Sequence, residues 1–439
     1  MNRCCHRHVT TTTCGRPFAV LLVLALALTG LFSACRNENP PALPELALPD
    51  LSNAEAGVTA ALKEQHAELS RGDASAYRRY ARTLQVHDYL DEAVAAYEVA
   101  AERSEDSFED LYLAGTCLHA KNPVRALGFF ARARNERKNY LPLHLACGKL
   151  AQDLGDSAAA RTNFDRALKL KRTSAALLGR AGIHLAENEI PQALDLAREA
   201  QQISARDRDL WALFARAYTK SGDLIRSRKA QAIAKSLSMS TGIADAIQVE
   251  IYQEAKSYLA LARYAGLLLN ADRLVEGQNA IEDALQIRPE EPTGLHILIR
   301  IMGRRGQYHS AYDMAEKLLN KDADDHEAAF LKAVMLVDLA RPAEALGVVE
   351  KIAATKPDHI ESRLLMGAIL GKARPKLAKA HLRFVIDKDP TKPEPYLYLA
   401  QILHREGRKD RAIALLEKFV ELAPGDQHVK RLLGQLRRL

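Results

Sequence analysis

The chain has 439 residues, of which 48% are hydrophobic and only 6% aromatic, and it carries a formal net charge of +7. Ala and Leu are abundant, and Arg, Lys, Glu, Asp and Gln fill most other positions, which is the composition of an all-α protein. Three of the positive charges lie at Arg3, Arg7 and Arg16. The remaining excess is too small for the basic surface of a nucleic-acid-binding protein, so no nucleic acid partner is predicted.

The first 34 residues have the order of a secretory signal. Three arginines precede Phe18–Phe32, a nearly continuous apolar run of 15 residues, and the small residues Ser33 and Ala34 follow it. The run is shorter than the roughly 20 residues that a membrane span needs. We therefore predict that residues 1–34 are a signal peptide.

The end of this segment, Leu31-Phe32-Ser33-Ala34-Cys35, resembles a bacterial lipobox, although Phe32 stands where Leu is usual. In that pattern a signal peptidase cuts before a cysteine that has received diacylglycerol, so the resemblance implies lipidation of Cys35. The alternatives are an ordinary cleaved signal and an uncleaved anchor. Arg36 follows the cysteine in place of the Asp that favours the inner membrane. The resemblance thus implies a periplasmic address on the outer membrane.

Residues 35–51 are predicted to form an extended tether because they lack helical periodicity and are rich in proline. The prolines are Pro40, Pro41, Pro44 and Pro49. Ser52-Asn53-Ala54-Glu55 then predicts a capping box that opens a helix through about Leu69. We expect this helix to cover the exposed end of the array that follows.

The rest of the chain repeats one helical hairpin. The segment Pro393–Asp426 shows it best, with an apolar stripe on one helix, a break at Gly407, a second stripe and a stop at Pro424. The units align on central small residues, the anchors of repeats 1 to 10: Ala93, Ala126, Ala160, Ala193, Ser227, Gly277, Ala311, Ala345, Ala378 and Ala412. The steps between anchors are 33, 34, 33, 34, 50, 34, 34, 33 and 34 residues. Only one step is irregular.

These hairpins resemble the tetratricopeptide repeat, which has aromatic, Leu-Gly, Ala and Pro positions at fixed offsets in about 34 residues. Repeat 5 has the closest start, with Trp211, Phe214, Ala215 and Tyr218. One hairpin cannot bury both apolar stripes alone, so each must stack on its neighbours. The resemblance implies a right-handed α-solenoid of about ten repeats, with Trp211 in its core.

The irregular step divides the array into two halves. Its surplus falls within residues 236–257, where Ser238, Ser240, Thr241 and Gly242 break one helix. The predicted organisation is a helix and repeats 1–5 in residues 52–235, a connector in 236–257, repeats 6–10 in 258–426 and a capping helix in 427–439. The capping helix is amphipathic and basic, so contact with anionic lipid is its alternative role.

No catalytic, cofactor or metal site is predicted. Residues 367–373 are one residue short of a phosphate loop and lie in a helical pattern. His144 and His184 have no second histidine three or four residues away, and the metal-type Cys4, Cys5, His6 and His8 lie in the predicted signal peptide. Cys117 and Cys147 occupy core-type positions, either as buried thiols or as a disulfide. The chain is predicted not to be an enzyme.

The resemblance also predicts where a partner binds, since the first helices of such repeats line a concave groove. The basic residues at groove positions are Arg78, Arg82, Lys149, Arg216, Lys220, Arg300, Arg304, Arg363 and Arg405. A basic groove with apolar patches suits a protein segment that carries acidic groups. The alternative is that these residues are solvated helix faces.

The leading hypothesis is a non-enzymatic scaffold lipoprotein of the bacterial cell envelope that mediates protein–protein interaction or complex assembly. It needs no cofactor, and its membrane contact is the N-terminal lipid. The alternative is an accessory protein of exopolysaccharide export that binds an anionic glycan.

Overall fold

The computed structural model describes residues 46–237 and 245–438. The predicted signal peptide, the lipidation residue Cys35 and most of the predicted tether lie outside the described residues, as do residues 238–244 of the predicted connector. None of the described helices combines the length and the apolar character that crossing a bilayer requires.

The first array consists of helix α1, Ala56–Glu68, and five helical hairpins. The hairpins are α2 Ala74–Val86 with α3 Leu90–Arg103, α4 Phe108–Leu118 with α5 Pro123–Glu136, α6 Leu141–Asp153 with α7 Ser157–Leu170, α8 Ser174–Ala186 with α9 Ile190–Ile203, and α10 Arg208–Lys220 with α11 Leu224–Ser236. The connector adds α12, Ala246–Glu250, and a 3₁₀ turn at Ile251–Glu254.

The second array consists of five more hairpins and a last helix, α23 Gln427–Arg438. The hairpins are α13 Tyr258–Asn270 with α14 Leu274–Ile287, α15 Pro292–Arg304 with α16 Tyr308–Lys321, α17 His326–Asp338 with α18 Pro342–Thr355, α19 Ile360–Leu370 with α20 Pro375–Lys388, and α21 Glu394–Arg405 with α22 Lys409–Leu422. No strand occurs in the two described ranges.

The anchors explain why the hairpins stack. Each lies on the second helix of its repeat and is buried, and eight of the ten are alanines with no exposed surface. A small residue at this point lets two helices approach closely. Side-chain caps such as Asp73, Asp156 and Asp223, each accepting a backbone N–H at 2.9 Å, start several helices. The prediction of an all-α solenoid is confirmed.

The two arrays contact each other at two places. We call them the near end, at repeats 1 and 6, and the far end, at repeats 4 and 5 of the first array and repeats 9 and 10 of the second. At the near end Glu254 of the connector pairs with Arg79 at 3.5 Å, and Arg288 of repeat 6 pairs with Glu55 at 2.6 Å. At the far end Arg206 pairs with Asp389 of repeat 9 at 2.7 Å, and Ala205 joins the core of repeat 10. In the described residues, every hydrogen bond and ion pair between residues 46–237 and 245–438 lies at the near end, the connector or the far end.

The predicted capping box at Ser52–Glu55 is wrong. Helix α1 has Glu55 as its N-cap residue, but no side chain caps that end. The Glu55 carboxylate instead accepts the backbone N–H of Tyr258 at 2.8 Å and bonds Arg288. It thus satisfies a free N–H group in the first turn of α13, beside the positive charge of Arg288.

Candidate partner-binding groove

An open groove runs along the first helices of repeats 3, 4 and 5. It consists of two adjoining cavities of about 650 and about 690 Å³, and both cavities are lined by Gln152, Gly182, Ala212 and Arg216. Helices α6, α8 and α10 supply most of the lining. The shared residues make the two cavities one continuous channel.

Small side chains create this space. Helix α8 contributes Ala175, Gly179, Gly182 and Ala186, and α10 contributes Ala212 and Ala215. Larger apolar residues, Leu145, Phe164, Leu178 and Leu213, line the same channel and make much of its surface apolar. Such a channel can accept the backbone and apolar side chains of an extended or helical segment.

Arg216 lies at the centre of the channel. Its side chain is exposed, and it has neither a hydrogen-bond nor an ion-pair partner among the described residues. Lys149, also in the lining, pairs with Asp153 of its own helix at 3.0 Å. An arginine without a partner beside apolar walls is suited to pair with a carboxylate of another molecule, because the walls limit solvent screening.

The other eight predicted basic residues are engaged within the chain. Three of them join the first helices of neighbouring repeats by ion pairs: Arg78 to Asp110 at 2.7 Å, Arg82 to Glu109 at 2.8 Å, and Arg300 to Glu327 at 2.5 Å. Asp110 has no exposed surface, and burial raises the pKa of its carboxyl. The hydrogen bond to Asp110 raises the pKa of Arg78. These arginines tie repeats together.

Lys220, Arg304 and Arg405 share a second arrangement. Each donates to a backbone carbonyl near the end of the preceding repeat's first helix: Leu185 at 2.9 Å, Leu269 at 2.7 Å and Gly371 at 2.9 Å. Cations are favoured there because the last carbonyls of a helix have no intrahelical partner. Arg363 bonds the Pro357 carbonyl at 3.2 Å. A role of these residues in binding a partner stays a prediction.

The connector covers the corresponding surface of repeats 1–3. Asp245 accepts hydrogen bonds from the hydroxyls of Tyr112 and Tyr140, both at 2.5 Å. Ile247 and Ile251 are buried in the same core as repeats 1–3. Sequence reasoning missed this contact, although the four-residue spacing of the two isoleucines within a polar segment was a signal for a buried helical face.

Other predicted side chains are not part of the groove. Cys117 and Cys147 are free and buried, and burial raises their pKa values to about 12 and about 11. His184 lies near Glu187 and Glu189, the only group in 46–237 and 245–438 with metal-ligand spacing. Arg161 pairs with Glu187 at 2.5 Å, and both glutamates are exposed.

Comparison with known proteins identifies the repeat. Residues 145–208 and 370–436 each match a model described as "Tetratricopeptide repeat", and residues 304–376 match "Anaphase-promoting complex, cyclosome, subunit 3". The chain is a tetratricopeptide repeat protein. The repeats of such a protein form a scaffold for protein–protein interaction, and a protein or peptide partner follows from that class.

Individual relatives of this tetratricopeptide repeat protein are distant. "Protein O-mannosyl-transferase Tmtc3" of Drosophila melanogaster is 25% identical over 138 residues, which are 30% of this chain and 15% of the transferase. The structure of TTC0263, a protein of Thermus thermophilus, matches with a TM-score of 0.38 and 21% identity over 42% of this chain and all of that chain. Yeast Tom70 matches with a TM-score of 0.38 and 12% identity over 83% of this chain and 96% of its own. No residue role is transferred from them.

Proposed function

We propose that the protein is a non-enzymatic scaffold lipoprotein of the bacterial cell envelope, and that the groove over repeats 3–5 binds a segment of a protein partner. The observation that carries the binding proposal is Arg216, an exposed arginine without an ion pair among the described residues, at the centre of an apolar channel. An acidic side chain of the segment pairs with Arg216, and apolar side chains of the segment fill the space beside Leu178 and Leu213.

The charges that line the channel favour a protein segment over a polysaccharide as its ligand. An anionic glycan would need a row of cations free to meet its regularly spaced charges. Eight of the nine predicted groove cations already bond within the chain, and the lining of the channel also includes the carboxylates of Asp207 and Asp209. Few free cations beside two carboxylates suit a peptide with an isolated acidic position better than a polyanion.

The envelope address rests on the order of residues 18–35, an apolar run that ends in a lipobox-like sequence before Cys35. Lipidation there anchors the chain on the periplasmic side of the outer membrane, with residues 35–51 as the tether. A scaffold in this place assembles other envelope proteins and needs no cofactor.

The groove is tested by Arg216→Glu, with Arg228→Glu as the matched control. Arg228 is an exposed arginine on α11 and lines neither cavity of the groove. Partners are isolated from solubilised envelopes with the wild-type chain. Their affinities for the wild type, Arg216→Glu and Arg228→Glu are then measured. We expect Arg216→Glu to weaken binding by about tenfold or more, because it replaces an attraction by a like-charge repulsion. Unchanged affinity of every partner for Arg216→Glu contradicts the proposal.

The proposed location is tested by Cys35→Ala, with Cys14→Ala, in the predicted signal peptide, as the control. Cells fed labelled palmitate are fractionated, and label and membrane association are followed for each protein. We expect Cys35→Ala to lose the label and to leave the membrane fraction, because a lipid chain supplies the anchor. A Cys35→Ala chain that still takes up palmitate refutes lipidation at this residue.

A further inference from the structure

A separate cavity of about 460 Å³ opens between repeats 2 and 3 and shares no lining residue with the groove over repeats 3–5. Its lining includes Arg134 near the end of α5, Lys138 in the following turn, and Arg166 and Lys169 in α7. Two asparagines and His144 complete the polar lining, and no carboxylate of the described residues lines the cavity. The cavity therefore has a high local positive charge.

These four cations are without ion pairs or hydrogen-bond acceptors in the part of the chain that the structure describes. Asp165, next to Arg166 in the sequence, pairs with Arg180 at 2.6 Å. Glu136, two residues from both Arg134 and Lys138, is exposed and does not line the cavity. Most other groove and inter-repeat arginines of this protein do have acidic or carbonyl partners. Like charges around one cavity repel each other, so an anion that enters it is favoured.

His144 is an independent sign of a missing ligand. The residue is 2% exposed, and its Nε2–H donates to the Lys138 carbonyl at 2.7 Å, which fixes the turn that carries Lys138. Its Nδ1 has no hydrogen-bond partner in the described residues. With the proton on Nε2, Nδ1 is a free acceptor, which suits an O–H donor of a ligand. A buried nitrogen without a partner is rare in folded proteins and needs an explanation.

Helix-end electrostatics do not account for the whole cluster. Arg134 and Lys169 lie in the last turns of α5 and α7, where the helix dipole favours cations. Lys138 lies outside both helices, and Arg166 precedes the last turn of α7. These two cations, together with the buried imidazole, point to a ligand.

We propose that this cavity binds a phosphate-type oxyanion, carried either by a small soluble anion or by a lipid headgroup. The planar guanidinium groups of Arg134 and Arg166 each offer two parallel N–H donors to oxygens of the anion. Lys138 and Lys169 add point charges, and Nδ1 of His144 accepts a hydrogen bond from a hydroxyl group of the ligand. The volume exceeds what a single phosphate fills, so a diphosphate or a phosphorylated headgroup fits the cavity better.

The test is calorimetric titration of the full chain with inorganic pyrophosphate. We compare the wild type with two double variants. The cavity variant carries Arg134→Gln and Arg166→Gln. The control variant carries Arg228→Gln and Arg383→Gln, at two exposed arginines that lie on second helices outside the cavity. The cavity variant is expected to bind about tenfold more weakly or worse, and the control to bind like the wild type. Lys138→Gln, in a turn and thus harmless to the helices, is expected to weaken binding in the same direction.

Melting temperatures separate binding from folding. Without pyrophosphate the cavity variant is expected to melt no lower than the wild type, because it lacks two mutually repelling charges. With pyrophosphate only the wild type and the control are expected to melt higher. Vesicles containing phosphatidylglycerol, compared with phosphatidylcholine alone, identify a headgroup as the source if the same variants lose binding. The proposal is overturned if neither pyrophosphate nor anionic vesicles bind, or if the cavity and control variants bind equally.

Discussion

At the scale of single residues, glycine permits the closest packing between repeats. The Phe164 ring of α7 lies between Gly148 of α6 and Gly179 of α8, and a Cβ on either glycine would overlap the ring. Phe164 is 3% exposed, so the ring has little room to move. The ring therefore fixes how closely repeats 3 and 4 approach, and it also lines the groove.

We predict that Gly179→Ala lowers the free energy of unfolding by about 1–3 kcal/mol, because an extra methyl group in a packed core forces its neighbours apart. Gly128→Ala is the control, since a Cβ at this helical glycine of α5 meets nothing within 4 Å. That change is expected to raise the free energy of unfolding by up to about 1 kcal/mol through helix propensity. Denaturant titration measures both, and equal effects of the two changes would contradict the packing argument.

Residue roles were only partly predictable from the sequence. The repeat register placed the ten small anchors correctly, because a fixed period determines which helix face is buried. It also placed Arg78 and Arg304 on first helices. Their partners Asp110 and Asp272 lie 32 residues away in sequence, and such pairs depend on how adjacent repeats approach each other. Periodicity within one repeat does not contain that information.

At the scale of elements, the connector is held by a neutral histidine. Nδ1–H of His87 donates to the Thr83 carbonyl at 2.7 Å, and Nε2 accepts the backbone N–H of Lys256 at 3.1 Å. Burial lowers the pKa of His87 from its usual 6.5, and the bond to Thr83 only partly opposes this. A second proton on the ring would remove the acceptor that Lys256 uses.

We predict that acid loosens the connector. Below pH 6.5 the unfolded chain binds a proton at His87 more readily than the folded chain does, so stability falls as the pH drops through this window. Hydrogen exchange of residues 251–258, corrected for intrinsic rates, is compared at about pH 5 and about pH 7.5. His87→Gln keeps an acceptor but does not titrate, so it should lose most of the pH effect. An identical response of both proteins would refute the role of His87.

The sequence predicted that an insertion exists here but not where it packs. The step of 50 residues revealed extra chain, and the serines and Gly242 marked a break. The docking of Asp245 against Tyr112 and Tyr140 joins residues more than 100 positions apart. No local pattern specifies such a contact, because it depends on the path of the whole first array.

At the scale of the whole molecule, two arrays joined at both ends differ from an open solenoid. In an open array each repeat contacts only its neighbours, and the ends fray first. Here Arg206 of the first array pairs with Asp389 of the second, and Asp389 is 3% exposed. Burial by itself raises the pKa of Asp389, but bonds from Thr391 and the charge of Arg206 outweigh it and lower the pKa below its usual value.

We predict that Arg206→Ala opens the far end and lowers the free energy of unfolding by roughly 1–3 kcal/mol, because a buried carboxylate loses its cation. Arg198→Ala is the control, since Arg198 pairs at 2.6 Å with an exposed Asp195. Surface pairs of this kind contribute at most about 1 kcal/mol. Hydrogen exchange in repeats 4, 5, 9 and 10 measures the opening. If protection is lost equally in both variants, the far-end contact is not a tie between the arrays.

The connector also has a consequence for competition between ligands. It is covalently attached to the surface that it covers, so its local concentration there is on the order of millimolar, whatever the concentration of the protein. A free peptide that binds the first helices of repeats 1–3 must displace the connector from this surface. A peptide that binds the groove over repeats 3–5 has no competing segment to displace among the described residues. The first helices are thereby divided into a part that the connector covers, in repeats 1–3, and an open groove over repeats 3–5.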